Sequence, residues 1–474
     1  MTRVIKTDIC VIGAGSGGLS VAAGAAQMGA RTVLIERDHM GGDCLNTGCV
    51  PSKALLAAAK AAYRMNDGEK FGIVSKKARV DFAAVNAHVH GVIAAIAPND
   101  SVERFEGLGV TVIKADARFK DHRTVMAGDN EIIARRIVIA TGSRAAVPPI
   151  PGLEETPFFT NETLFANDTL PDHLVIIGGG PIGIEMAQAH RRLGASVTVI
   201  EGMSVLGKDD PELSAVVINA LVREGVVFHE RSRVLSVAGG EGKITVIIEK
   251  DGFSKKITGS HLLVAAGRTA NVDGLDLEKA GIDHTRRGIT VDDRLRTTNR
   301  KIFAIGDVAG GLQFTHVAGY HAGIVIRNIL FRLPAKADHS CVPWVTYTDP
   351  ELAHVGETET EARERHMKIN VLRWSFAEND RAQAERETEG VIKLVTDLHG
   401  RILGVTIVGP HAGELILPWV LAKSQGLKVS AMAGLIAPYP TLSEVSKRVA
   451  GSYYTPTLFS PRTRRVVRFL RLFG

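Results

Sequence analysis

The chain has 474 residues, 45% of them hydrophobic and 23% charged, a composition that fills large buried cores and excludes a disordered or collagen-like protein. At roughly 100–200 residues per domain, this length implies about three domains. Of the net charge of +6, five positives come from Arg462, Arg464, Arg465, Arg468 and Arg471, with no acid after residue 461. Basicity is therefore local, and together with an aromatic content of 5% this argues against a nucleic-acid-binding fold, which carries its basic stripe and stacking rings on the domain itself. No run reaches the ~18 apolar residues of a membrane span. The opening MTRVIKTDICVIGAG has the charged-then-apolar order of a signal peptide, but Asp8 interrupts it, and it reads as a buried strand. Four cysteines, Cys10, Cys44, Cys49 and Cys341, are too few for a secreted disulfide framework and point to a reducing, cytoplasmic compartment.

From the N-terminus onward, two segments share one plan: TDICVIGAGSGGLSVAAGAAQMGARTVLIERD and DHLVIIGGGPIGIEMAQAHRRLGASVTVIEGM. Each is predicted as a β-branched strand, a glycine turn, a small-residue helix ending at Gly29 or Gly194, a second strand and an acid. In the first, Gly13, Gly15 and Gly18 form G-x-G-x-x-G, and Glu36 follows Gly13 by 23 residues. The first glycine makes the tight turn and the second admits a pyrophosphate at the helix N-terminus. The third lets helix and strand pack closely, and the acid bonds a ribose hydroxyl.

GGDCLNTGCVPSK follows, with Cys44 and Cys49 five apart. In a reducing compartment such a pair is a metal fragment or a redox couple; its alternative is two small buried hydrophobes on one helix. With no second pair, a four-thiolate metal site is not expected. Residues 51–125 read first as helix (KALLAAAKAAYRM) and then as strands, and ARRIVIATGSRAAVPPIPG closes the first unit with a proline-rich linker near residue 148.

The second unit repeats the fingerprint at Gly178, Gly180 and Gly183, with Glu201 again 23 residues on. Two sites imply two nucleotides. A carboxylate at Glu201 accepts from a free 2′-hydroxyl and repels a 2′-phosphate, favouring NADH over NADPH, unless Arg191, Arg192 and Lys208 supply phosphate contacts. KIFAIGDVAGG is a further strand and glycine turn returning to the first unit, and from Val342 strands alternate with amphipathic helices.

These residues resemble the pyridine nucleotide–disulfide oxidoreductases, the group containing dihydrolipoamide dehydrogenase, glutathione reductase and mercuric reductase, from Asp8 to about Ser452. The most specific element is GGDCLNTGCVPSK, supported by ATGS at 140–143, GRTAN at 267–271, TTNRKIFAIGD at 297–307 and VTYTDPELAHVG at 345–356. The resemblance implies an α/β fold of two Rossmann-like domains, for FAD and NAD(P), plus an α+β dimerisation domain. Residues 1–148 and 273–341 would form the FAD domain, 149–272 the NAD(P) domain, 342–461 the interface domain of a homodimer, and 462–474 a basic amphipathic tail. Cys49 would be the flavin-side, charge-transfer thiol and Cys44 the exposed, exchanging one. Lys53 would sit by the flavin N5 paired with Glu185, or the two would form a surface ion pair. Asp307 would bond the ribitol, Thr141 and Gly142 would line the FAD site, and Gly267 would approach the nicotinamide nucleotide. His316 either faces the flavin or is a satisfied core histidine. Cys10 and Cys341 are read as packing residues.

The departures narrow the reading. Dithiol-using members carry a His-Pro-Thr-x-x-x-Glu-like segment, whose histidine shuttles protons in the partner subunit's site. Here the segment is APYPTLSE, with Tyr439 in place of that histidine and Glu444 retained. A phenol near ~10 is a poor base at neutral pH where an imidazole near ~6.5 is a good one. None of the 16 histidines lies after His411. Tyrosine here resembles mercuric reductases, but no cysteine follows Cys341 and their amino-terminal metal-binding domain is not found. The expected activity is electron flow from NADH (or NADPH) through FAD and a Cys44–Cys49 redox disulfide to a small acceptor: a metal ion, a quinone or another oxidant. One alternative is a dihydrolipoamide dehydrogenase or other disulfide reductase using Glu444 and water. The other is a flavin redox sensor whose tail binds a membrane or a partner, since an Arg-rich amphipathic helix can lie on anionic lipid; the tail otherwise packs on its own dimer or frays.

Overall fold

Ile9, Cys10, Val11 and Ile12 are all buried, as in a strand covered on both faces. The computed structural model, which describes residues 3–74 and 79–473, places that strand, Arg3–Ile12, inside a seven-stranded sheet. Met1, Thr2 and Gly474, at the ends of the expected first and last segments, lie outside the described residues. Two compact units are present. One holds the chain up to Tyr63, a stretch running to Ile200, and Ser232–Asp338; the other holds Glu201–Arg231 and the chain from His339 on.

In the first unit the strands run in the order Val110–Lys114, Thr32–Glu36, Arg3–Ile12, Asn130–Ile139, all parallel. The first half of Asn130–Ile139 pairs antiparallel with Thr124–Ala127, and its second half takes Ile302–Ala304 in parallel. The segment returning from the far end of the sequence thus completes the first sheet, as the strand and glycine turn of KIFAIGDVAGG suggested. The helix Ser16–Gln27 lies along Thr315–Ile329 because both are built of small residues: a Cβ on Gly17 would stand 3.2 Å from that of Ala318. The duplicate plan recurs in His173–Ile177, the helix Pro181–Leu193 and Ser196–Ile200, with His261–Val264 parallel on the other side of His173–Ile177. Three antiparallel strands, Arg233–Gly240, Lys243–Lys250 and Phe253–Gly259, share a core with this second sheet through Val175, Ile177, Val246 and Ile248.

The second unit contains a five-stranded antiparallel sheet in the order Pro343–Thr346, Glu351–Gly356, Ile402–Gly409, Val391–Thr396, Asn370–Ser375. Phe376, Trp419, Val445 and Val449 close its core. Lys393 is buried there, and its ammonium is held by Asp210 (2.7 Å), Glu212 (2.9 Å) and Glu359 (2.6 Å), a cation tolerated inside only because it is fully paired. The chain ends in the helix Pro461–Leu470, capped by Ser460, whose residues are almost all exposed. The fold is the expected α/β architecture with a C-terminal antiparallel α+β domain. No helix among the described residues is long and apolar enough to cross a membrane.

Candidate active site

The two glycine turns have the same stereochemistry. Gly13 (φ +102°) and Gly178 (φ +117°) adopt left-handed backbone against a neighbouring strand end, where a Cβ would stand 2.4 Å from the Ala140 carbonyl oxygen and 2.3 Å from that of Ala265. A Cβ on Gly18 would meet the Gly13 oxygen at 1.9 Å, and one on Gly183 the Gly178 oxygen at 2.1 Å. The middle glycines differ: nothing lies within 4 Å of the place a Cβ would take on Gly15 or Gly180. Each turn is therefore closed toward the protein and open toward a ligand at the start of a helix, which is the cradle a dinucleotide pyrophosphate requires. Glu36 accepts from the amides of Ala14 (2.6 Å) and Asp38 (2.8 Å), so its carboxylate is fixed at the rim of the first turn. Glu201 is half-buried and accepts from the Met203 amide at 2.8 Å.

The cysteine motif is locked onto the first turn. The Gly41 amide donates to the Ala14 carbonyl at 2.9 Å, and Gly42 passes so close to Gly15 that a Cβ would lie 2.8 Å from the Gly15 Cα. Cys44 then falls in the short helix Gly42–Asn46, and Cys49 opens the helix Cys49–Asn66. Both are free thiols. They hydrogen-bond to each other and are split by it: Cys49 is lowered to about 6, chiefly by the bond from Cys44 and then by Thr315 and the Lys53 charge, against burial. Cys44 is pushed up by that same bond and by burial. Position at a helix N-terminus also favours the Cys49 thiolate. Cys49 Sγ lies 3.4 Å from Thr315 Oγ1. In the chain itself Cys49 is exposed and Cys44 half-buried.

Lys53 Nζ donates to Glu185 Oε2 at 2.9 Å, with the Glu185 side chain only 5% accessible, so the pair is not the alternative surface contact. Thr141 donates its hydroxyl to the Asn271 carbonyl (2.8 Å), and Asn271 returns a bond from Nδ2 to the Thr141 oxygen (2.9 Å). Gly142 (φ +67°) and Gly267 (φ +125°) both present backbone with no neighbour in the place of a Cβ. Asp307 accepts from Ser143 Oγ at 2.5 Å, and burial raises its carboxyl above the ordinary range against that bond and the Arg268 charge. His316 is exposed and stacked on Phe314 with ring centroids 5.2 Å apart; it is not a core histidine. The buried one in that helix is His321, whose Nδ1 accepts from the Gly306 amide at 3.2 Å. Cys10 is fully buried and its thiol is raised to about 12 by burial, whereas Cys341 is half-buried.

Sequence reasoning missed the residues that tie these parts together. Arg268 donates to Asp43 (3.0 Å) and to Ser143 Oγ (2.7 Å), and Asp43 also accepts from Asn161 and Thr47, both at 2.9 Å. Three missed residues stand one position from a chosen one: Ser143 after Gly142, Arg268 after Gly267, Thr315 before His316. Their side chains were legible as donors, but nothing local indicates which distant carboxylate or thiol they meet.

In the other unit, Tyr439 is 70% exposed and its hydroxyl donates to Asp380 Oδ2 at 2.9 Å. That bond and the Asp380 charge raise the phenol above its ordinary range. Glu444 begins the helix Glu444–Ser452 and adds its charge to the same effect.

Open dinucleotide cradles, an asymmetric thiol pair fixed to one of them and a separate antiparallel domain define a flavin- and nicotinamide-linked disulfide reductase. Residues 7–322 match the family "pyridine nucleotide-disulphide oxidoreductase" and residues 342–450 its dimerisation domain. The chain is 35% identical over 459 residues to a dihydrolipoyl dehydrogenase of Geobacillus stearothermophilus and 33% identical over 455 residues to a mercuric reductase of Streptomyces lividans, covering 94% of this chain and 96% of each relative. Among solved structures it superposes with TM-score 0.85 and 29% identity on a Cu(II) complex of the HOCl-induced flavoprotein disulfide reductase RclA of Escherichia coli, covering 94% of this chain and 99% of that one. The chain belongs to the pyridine nucleotide–disulphide oxidoreductases: it is an NAD(P)H-dependent, FAD-linked enzyme carrying the family's dimerisation domain.

The two cradles make separable predictions. Gly18→Ala drives a methyl group into the Gly13 carbonyl and is expected to destabilise the fold by about 1–3 kcal/mol. Gly15→Ala has room in the chain, so its unfolding temperature without flavin is expected to match the native one while FAD affinity falls about tenfold or more. Differential scanning calorimetry of the apoprotein and flavin absorbance after dialysis read the two effects apart.

Proposed function

We propose that this enzyme passes two electrons from NADH to a thiolate-binding metal ion through its Cys44–Cys49 couple. The carrying observation is Tyr439. Asp380 holds its phenol protonated well beyond neutral pH, so it cannot take the proton that a dithiol substrate must lose. A soft metal ion needs no such base, because thiolates bind it directly. Copper in the RclA structure and mercury in the names of several relatives belong to those proteins, and they make the same acceptor class the natural one to test here.

In this reading residues 1–148 and 273–341 form the FAD domain, with Gly13, Gly15, Gly18, Glu36, Thr141, Gly142 and Asp307 holding the cofactor and His316 at its margin. Residues 149–272 form the nucleotide domain, with Gly178, Gly180, Gly183, Glu201 and Gly267 taking NADH, and 342–461 the dimer interface. Bound FAD would supply two-electron transfer between nicotinamide and the disulfide. Lys53, steadied by Glu185, places a positive charge beside Cys49 and keeps it thiolate. The two thiols, freed by reduction, bind the metal and re-form their disulfide as the electron pair passes on, to one ion where the metal takes two electrons, as Hg²⁺ does, and to two ions where it takes one, as Cu²⁺ does, so NADH oxidation balances metal reduction. NADH is preferred because the arginines available for a 2′-phosphate are engaged: Arg191 donates to the Ala195 carbonyl at 3.0 Å and Arg192 lies over the Tyr63 ring at 4.0 Å.

Anaerobic NADH oxidation with Cu²⁺, Hg²⁺, a quinone, lipoamide and glutathione disulfide tests the acceptor. Metal turnover is expected to exceed lipoamide turnover by about 10²-fold, the low end of what a missing general base costs, and Tyr439→His is expected to bring little gain. Lipoamide turnover at ordinary family rates, or a large rise in Tyr439→His, would favour the disulfide reductase instead.

The tail suits a membrane surface at the cytoplasmic side. Val466, Phe469 and Leu470 form one stripe of the final helix, continued by Phe473, each more than half exposed, while Arg464, Arg468 and Arg471 project from the opposite side at helical spacing. Such a helix lies on anionic lipid with its apolar stripe in the headgroup boundary. The protein is expected to co-float with phosphatidylglycerol vesicles, less with phosphatidylcholine or in high salt, and to lose flotation when residues 462–474 are deleted. Equal flotation of the deletion variant would refute the assignment.

A further inference from the structure

We propose that a cavity of about 190 Å³ in the first unit, lined by Arg136, Arg294, Arg296, Arg300 and Arg332, binds two linked phosphate groups. It lies away from the first cradle. Arg136 precedes Ala140, the strand end against which Gly13 turns, by four residues of extended chain, or roughly 13 Å at 3.3 Å per residue.

The charges in this cavity do not cancel. Arg296 spends its guanidinium on Asp292 Oδ2 with bonds of 2.8 and 2.6 Å. Arg136 donates from Nη1 to the backbone carbonyl of Arg135 at 2.9 Å, which uses a donor and neutralises nothing. Asp293, the other nearby acid, is taken by Lys336 at 2.7 Å. Among the described residues no carboxylate pairs with Arg294, Arg300 or Arg332. A surplus of four positive charges therefore faces one concavity, with Arg136, Arg294 and Arg296 half-buried, where screening by water is reduced and like charges repel. A matching anion removes that cost.

The residue type narrows the anion. Planar guanidinium forks bond phosphate oxygens in pairs, which lysine does not do. One phosphate carries about −2 and offsets only half the surplus, whereas two linked phosphates, at about −3 near neutral pH, offset most of it. The wall is preset: Asn328 Nδ2 donates to the carbonyls of Ile324 (3.0 Å) and Ala335 (2.8 Å), fixing the turn that carries Arg332. Diphosphates reach a protein either as soluble nucleotides or on lipid headgroups, and the chemistry recognised is the same.

The test uses the FAD-loaded dimer saturated with NAD⁺, so that the known phosphate sites are filled, and titrates inorganic pyrophosphate by calorimetry at low salt. One site per chain is expected, with affinity reduced about tenfold or more in Arg294→Gln/Arg332→Gln, while NADH turnover is unchanged. Without pyrophosphate the variant is expected to unfold at the native temperature or above it, because repulsion is relieved; pyrophosphate should raise the native unfolding temperature and not the variant's. ADP and vesicles bearing a diphosphate lipid then compete for the site, and the stronger competitor names the source. No binding, or equal binding by the variant, overturns the proposal.

Discussion

The first dinucleotide turn rests on an approach that only a missing side chain allows. Gly18 brings its helix so near the Gly13 carbonyl that a methyl group would stand 1.9 Å from the oxygen. This approach sets the helix against its strand and leaves Gly15 facing open space at the helix start. The next constraint is stacked on it: Gly41 donates to Ala14 and Gly42 rides over Gly15, so the cysteine helix is positioned by the dinucleotide turn itself. The thiol pair and the open dinucleotide turn are thus held in register by backbone packing rather than by flexible side chains.

Polar chemistry then differentiates what the backbone has placed. One hydrogen bond between two thiols, biased by Thr315, Lys53 and a helix N-terminus, produces a low-pKa Cys49 and a protonated Cys44. Arg268 and Asp43 brace the motif toward Ser143 and Asp307. In the other unit the same logic runs in reverse. Asp380 accepts a hydrogen bond from the Tyr439 hydroxyl, keeps that phenol protonated and removes it from acid–base work near neutral pH.

Much of this was readable along the chain because glycine spacing and β-branched runs are local signals. The two strand–turn–helix units, the trailing acids and the cysteine motif follow from periodicity and motif, whereas the C-terminal domain shows along the chain only as strands alternating with helices, and its antiparallel pairing emerges in the fold. What was not readable depends on long-range approach. Thr315 reaches Cys49 across 266 positions and Arg268 reaches Asp43 across 225, and no pattern near either residue announces its partner. His316 reads from the sequence as facing the flavin or as a core histidine, and it is its neighbour Thr315 that contacts Cys49. The buried arrangement of Lys393 among three carboxylates, and the arginine cavity, likewise exist only once distant segments meet.

The central claim is that Cys49 is the thiolate beside the flavin, and the most direct measurement is the long-wavelength charge-transfer absorbance of the NADH-reduced enzyme as a function of pH. Because the Cys49 pKa is depressed to about 6, the thiolate is populated above that pH. The band is therefore predicted to be full at neutral pH, to fade as pH falls through about 6, to persist in Cys44→Ser and to vanish in Cys49→Ser. A band that survives Cys49→Ser, or none at any pH, would contradict the account.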